Sequence, residues 1–396
     1  MKRASFCAAA VLAAAGANAQ IRVTKTAYQK AVLDMSALST AGDTASRAFA
    51  TTLRRDLESS GWFRISSQGA EVRLQGSVRQ SGGKVSASVR AVKVMENRQV
   101  LGKAYSASPQ SVQQLAHKVA DEIVAAVTGK PGIASSKIAL VGSRDGKKEI
   151  YTCDYDGTNL RQLTRDGKLS LAPNWGPKGR MLTYTSYLRG FPDCYMIDMQ
   201  TRRRTLIAAY GGLNATASIS PDGRQVALVL SKDGNPELYL KDLKSGRLTR
   251  LTKTRAVEAS PSWSPDGKQL VYVSDTSGRP QLYVISKDGG RPRRLTSRGT
   301  QNVAPDWGPN GWIAFTTREG GRFRPAIINP QTREARVLES DWADYEDLSW
   351  APDGRHIVCT RIERYRSSLY RLDTLNDPPV ALKLGAGDWF SPSWSP

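Results

Sequence analysis

The chain has 396 residues, 40% of them hydrophobic, which is enough to bury a large core, implies two or more domains and excludes a disordered chain. Its 57 Lys and Arg against 36 Asp and Glu give a net charge of +21, a field that favours anionic partners. No stretch beyond the first residues approaches the roughly 20 apolar residues that a membrane helix needs, so the chain is not expected to span a membrane.

Residues 1–19 combine a basic start (Lys2, Arg3), an Ala/Val/Leu run and the ending Ala17-Asn18-Ala19, the pattern of a secretory signal peptide cut before Gln20. Cys7 lies within this leader and not at its cleavage site, which argues against a lipid-anchored cysteine and for a soluble mature protein. Export argues against nucleic acid as the anionic partner. Acidic envelope proteins and anionic glycolipids remain, beside the plainer reading of a basic solvated surface. Cys153, Cys194 and Cys359 are odd in number and lack metal-ligand spacing, so they read as separate strand residues, although an oxidising compartment permits one disulfide.

Residues 20–134 carry no repeat and read as a small α/β domain. Thr44 can cap a helix whose Ala48, Phe49, Thr52, Leu53 and Leu57 share a face, with a stop at Ser59-Ser60-Gly61. Strands are expected near 71–79, 84–94 and 98–105, the first two joined by the turn Ser81-Gly82-Gly83. Pro109 opens a second helix with Leu115, Val119, Ile123 and Val127 on one side, and Gly129 ends it.

Residues 135–396 repeat. Trp175, Ile219, Trp263, Trp307, Trp350 and Trp394 anchor six versions of one phrase, fullest as SPSWSPDG (260–267), at spacings of 44, 44, 44, 43 and 44. Each unit holds four strand-like runs, as in 260–296, and that period with four strands is the signature of a β-propeller blade. The first unit, 137–164, lacks its first strand, and the last, SPSWSP (391–396), is a first strand alone. Joined, they complete a sixth blade and remove the exposed edges of an open array. The expected fold is therefore mostly β, a six-bladed β-propeller preceded by a small α/β domain.

RDLESSGWF (55–63), AHKVADEIVAAVTGKPG (116–132), the six SPDG-type units and the terminal WSP phrase, in this order behind a leader, resemble the TolB family, the periplasmic component of the Tol-Pal envelope system. The resemblance implies a periplasmic, non-enzymatic interaction protein that binds Pal, the peptidoglycan-associated lipoprotein, and supports envelope integrity and constriction at division. It implies no cofactor. The segment between Phe63 and Val78 looks short for the family. The family's TolA-contacting segment falls just after Gln20, where the residues do not match one by one, so TolA is left open as a partner.

The Trp anchors read as inter-blade core in preference to a ligand-stacking ring, and Asp222, Asp266 and Asp353 before glycine read as turn residues in preference to metal ligands. His117 and His356, the only two histidines, fall in different domains and supply no multi-histidine metal site. Asp154-Tyr155-Asp156-Gly157 reads as a turn. A propeller-gated hydrolase needs a nucleophile elbow, and no GxSxG occurs. A glycan- or metal-binding channel is the other alternative.

Function is then expected on a face. The loops leading into each first strand and those joining strands two and three emerge on one side. They carry Asn214, Glu258, Gln301, Asn302, Tyr345, Glu346, Asp388 and Trp389 from the first set, and Asp275 and Arg279 from the second. The resemblance implies that a face of this kind receives Pal.

Overall fold

The computed structural model describes residues 29–143 and 146–396. The expected leader, residues 1–19, and the stretch just after Gln20 lie outside the described residues. No helix among the described residues is long and apolar enough to cross a membrane.

The N-terminal region is a five-stranded sheet with two helices. Strand β1 (Ala31–Thr40) precedes α1 (Thr44–Ser59), then β2 (Phe63–Ile65), β3 (Val72–Ser81), β4 (Lys84–Lys93), β5 (Arg98–Ala107) and α2 (Val112–Thr128) follow. The order in the sheet is β2-β1-β3-β4-β5, with β1 parallel to both neighbours and β3, β4 and β5 forming an antiparallel meander. Strand β4 alternates strictly, with Val85, Ala87, Val89 and Ala91 buried, as its period-two pattern requires. The α1 cap is Asp43, one residue before the expected Thr44: its carboxylate accepts from Ser46 N at 2.8 Å and Ser46 Oγ at 2.6 Å. Helix α2 ends on Gly129 at φ 71°, a left-handed stop that glycine adopts without a Cβ clash.

The remaining strands form six four-stranded antiparallel sheets arranged as a ring. Blades 1 to 5 span residues 170–208, 214–250, 258–294, 301–337 and 344–381. Blade 6 joins the two ends of the repeat: its innermost strand is Asp388–Trp394, paired antiparallel with Lys137–Ser143, which pairs with Lys148–Asp154. The clasp starts three residues earlier than the repeat phrase, and the extra length places Trp389 beside Gly142. A Cβ on Gly142 would lie 2.3 Å from the Trp389 ring, so only glycine fits there.

The five repeat tryptophans and Ile219 are 4–9% exposed and lie between neighbouring blades. One apolar cluster runs from the N-terminal sheet and helices into blades 5 and 6, through Tyr155, Val358, Leu369, Trp389 and Trp394. Cys153, Cys194 and Cys359 are buried on strands of three different blades and unpaired. Burial pushes their thiols up, that of Cys194 to about 12, so they sit as small apolar residues.

Candidate functional site

One face of the ring carries the N-terminal region over blades 5 and 6. The N-terminal region meets it through turns that join strands one to two and three to four, and the contacts are ionic as well as apolar. Asp56 of α1 lies 2.6 Å from His117 Nδ1 of α2 and accepts from Tyr155 Oη of blade 6 at 2.7 Å. Burial first, and then the Asp56 charge, raises the Tyr155 phenol, which holds its proton in that bond. In blade 5, Arg355 makes a forked pair with Asp373, at 3.0 and 2.7 Å, beneath the Trp62 ring at 4.6 Å. Gly61 sits against this guanidinium, where a Cβ would lie 2.6 Å from Nη2. His356 Nδ1 lies 2.6 Å from Asp353 Oδ2. Lys30 pairs with Asp377 at 2.7 Å. Both histidines thus lie where the two regions meet, each paired with an aspartate. Asp353, Asp222 and Asp266 act as turn residues, each accepting from backbone N–H groups just beyond it, and Asp154 to Thr158 closes as a turn through Gly157 N and Asp154 O at 2.9 Å.

The opposite face, built from the loops between blades and the hairpins joining strands two and three, carries no such cover among the described residues. The residue five before each anchor leads the chain into the innermost strand, and all six (Ser170, Asn214, Glu258, Asn302, Tyr345, Trp389) are no more than 2% exposed. In five of them the side chain bonds to the residue four positions earlier. Asn214 Nδ2 donates to Tyr210 O at 2.8 Å, Asn302 Nδ2 to Arg298 O at 2.6 Å and Trp389 Nε1 to Gly385 O at 3.1 Å. Tyr345 Oη donates to Asp341 at 3.1 Å, and Glu258 accepts from Thr254 Oγ1 at 2.8 Å. These five residues, singled out in the sequence for docking, are loop latches whose side chains point inward. Asp388 accepts from Ser367 N at 3.2 Å and Asp275 from Val257 N at 2.9 Å, tying loops to hairpins. Gln301 and Glu346 are half-buried, and burial together with the Asp347 and Asp344 charges raises the Glu346 carboxyl. Arg279 is exposed.

What this face presents to solvent is different. Of the eight large apolar side chains exposed among the described residues, Leu188, Phe191, Val257, Trp342 and Tyr365 stand on its loops, with Trp342 85% and Tyr365 fully exposed. The Arg322 guanidinium lies 4.3 Å over the Trp342 ring, and Arg318 lies 5.3 Å over Phe323. Trp342 is the one loop tryptophan here outside the repeat register and exposed, a signal available in the sequence once the anchor positions are set aside.

Between the faces runs a channel lined by the innermost strands. Each strand carries a β-bulge at which a non-glycine residue is left-handed: Ala172, Thr216, Ser260, Ala304, Asp347 and Ser391, at φ 46° to 51°. A residue of this kind costs about 1–2 kcal/mol, and at four of the six the side chain two residues on clips the strand to the next blade. Ser262 Oγ accepts from Trp307 N at 3.0 Å, Asp306 Oδ2 from Trp350 N at 2.7 Å, Ser349 Oγ from Trp394 N at 3.0 Å and Ser393 Oγ from Trp175 N at 3.2 Å. The channel waist is about 150 Å³ and opens into a funnel of about 440 Å³ ringed by the anchors and prolines. Asp306 and Asp347 line the waist, and burial raises both carboxyls. Among the described residues no group of three or more His, Cys, Asp or Glu side chains is placed to hold a metal.

A sequence profile described as the TolB beta propeller domain matches residues 124–396. The chain is 35% identical over 156 residues to the Tol-Pal system protein TolB of Desulfosudis oleivorans, covering 39% of this chain and 35% of that one. To TolB of Bordetella pertussis it is 31% identical over 232 residues, covering 52% of each. The chain thus spans between a third and about half the length of these curated relatives. The crystal structure of TolB from Acinetobacter baumannii superposes with a TM-score of 0.83 at 25% identity, over 95% of this chain and 99% of that one. With its profile match over most of the chain and a six-bladed ring closed by its last strand, this chain belongs to the TolB family.

Proposed function

We propose that this chain is a non-enzymatic, periplasmic component of the Tol-Pal system that docks a Pal-like peptidoglycan-associated lipoprotein on the open face of its propeller. In this reading residues 1–19 are an export signal, 20–134 form the domain that covers one face, and 135–396 form the propeller. By binding Pal the protein supports outer-membrane integrity and constriction during division. TolA is a further partner that the family suggests. The observation that carries the reading is the asymmetry of the ring: one face carries the N-terminal region over blades 5 and 6, while five of the eight large apolar side chains exposed among the described residues stand on the loops of the other. Aromatic residues beside arginines on loops held by a rigid scaffold have the composition of a protein-docking surface. The buried latches Asn214, Glu258, Asn302, Tyr345 and Trp389 shape that surface from beneath, and Arg279, Gln301, Glu346, Asp275 and Asp388 lie nearer its solvent side.

The test is calorimetric titration of the purified chain with the soluble domain of the same organism's peptidoglycan-associated lipoprotein at low salt. Saturable binding is expected, and its absence removes the partner assignment.

A further inference from the structure

The open face carries a cleft of about 540 Å³ between blades 3 and 4, lined by Arg279, Thr300, Gln301 and Arg318 with Gly278 and Gly321 at the hairpin tips. No lining residue among those described is acidic. Among the described residues neither Arg279 nor Arg318 has a carboxylate within 4.0 Å, whereas Arg204, Arg250, Arg355 and Arg361 each have one. Both unpaired arginines stand on backbone that is fixed beforehand. Arg318 O accepts from Thr300 N at 3.0 Å and from Thr300 Oγ1 at 3.1 Å, and its guanidinium rests over Phe323, whose own N–H is held by Asp344 at 2.8 Å. The hairpin of Arg279 is closed by Gly278 N on Asp275 O at 2.7 Å, and Pro280 O accepts from Asn302 N at 2.9 Å, which ties it to blade 4.

We propose that this cleft is a carboxylate subsite: it seats an acidic side chain, Asp or Glu, of the protein that docks on the open face. The proposal rests on the docking reading given above. Two guanidinium groups offer planar donor forks that match a carboxylate bidentately. Because their loops are latched in the free protein, little ordering is left to be done on binding. The cleft shares its face with Trp342 and Tyr365, residue types that anchor protein interfaces beside arginine, which favours an acidic protein over a lipid surface.

The full chain, its Arg279→Gln/Arg318→Gln variant, the conservative Arg279→Lys/Arg318→Lys variant and a control, Arg203→Gln/Arg247→Gln, are titrated with a short oligoglutamate and with the lipoprotein domain. The control removes the same charge from exposed turns on the other side of the ring. The glutamine pair at the cleft is expected to weaken both ligands about tenfold or more, the lysine pair less, and the control under about twofold. Equal losses in the cleft and control variants show a general field and overturn the subsite. So does unchanged affinity, or binding to phosphatidylglycerol vesicles that needs Arg279 and Arg318 while oligoglutamate does not. If the lipoprotein fails to bind the unmodified chain but oligoglutamate binds through the two arginines, the docking partner is wrong and the carboxylate subsite stands.

Discussion

The two faces of the ring are made from the same kinds of turn and end up with opposite chemistry. On the covered face, Arg355 and Asp373 are 4% and 3% exposed at the side chain and locked together, and Asp56 is shared by His117 and Tyr155. On the open face Arg279 and Arg318 lack acidic partners among the described residues and Trp342 stands in water. A charge taken out of water must be paired, because desolvation otherwise outweighs whatever the contact gains. A charge left in water can wait for a partner that is not part of the chain. Pairing is therefore a record of what each face meets: an internal neighbour on one side, an external one on the other.

The largest effect is expected where both faces depend on one element. Truncation before Asp388 removes the clasp strand with Trp389 and Trp394, both buried. Each such loss costs about 3–5 kcal/mol, against a total stability of about 5–15 kcal/mol. Loss of cooperative thermal unfolding is expected by calorimetry, and a truncated chain that melts like the intact one removes the closed ring and the face built on it.

Next comes the covered face. Asp373→Ala removes the forked partner of Arg355 under Trp62 and leaves Asp377, 3.7 Å away, as a more distant acidic neighbour, and breaking a buried pair costs about 3–5 kcal/mol. Urea denaturation reads this directly. Arg279→Gln on the open face is expected within about 0.5 kcal/mol of the unmodified chain. Similar losses from the two substitutions would erase the distinction between the faces.

Smaller still is the effect of Trp342→Ala. Its stability is expected to stay within about 0.5 kcal/mol, because the ring is already in water, while docking of the lipoprotein domain weakens by about 2 kcal/mol if the indole is an anchor. An affinity that does not move with this substitution relocates the contact away from blades 4 and 5.

The propeller was legible because its signals are local and repeated: a buried Trp, then a turn, at a fixed period, with a missing strand at one end and a spare one at the other. The N-terminal sheet was legible only in part. Strand β1 was missed because it is an interior, parallel strand with a register shift between Asp34 and Ala37, so its side chains do not alternate cleanly. Strand β2 is three residues long and carries no period. On the open face, position in the repeat located the loops correctly but not the direction of their side chains. Asn214, Glu258 and Asn302 lie on those loops, yet each turns back to close its own loop. The exposed aromatic residues lie off the repeat register, where periodicity says nothing.

The channel supplies the finest test, because its strain belongs to neither face. Asp347 is left-handed, accepts from Ser391 Oγ at 2.8 Å and has no basic partner among the described residues, and burial holds its carboxyl above the usual range. The folded chain therefore binds this proton more tightly than the unfolded chain, and stability falls as pH rises through the window between the ordinary and the raised value. Above the raised value that loss is fully present. Asp347→Asn keeps an acceptor for Ser391 and removes the carboxylate, so above that window it is expected to stabilise the protein by on the order of 1 kcal/mol, the scale of a single favourable substitution. The gain shrinks as the pH drops below the window, where the unmodified carboxyl is itself neutral. Urea denaturation as a function of pH measures it, and an asparagine variant that is less stable throughout would show that the channel favours the ionised form.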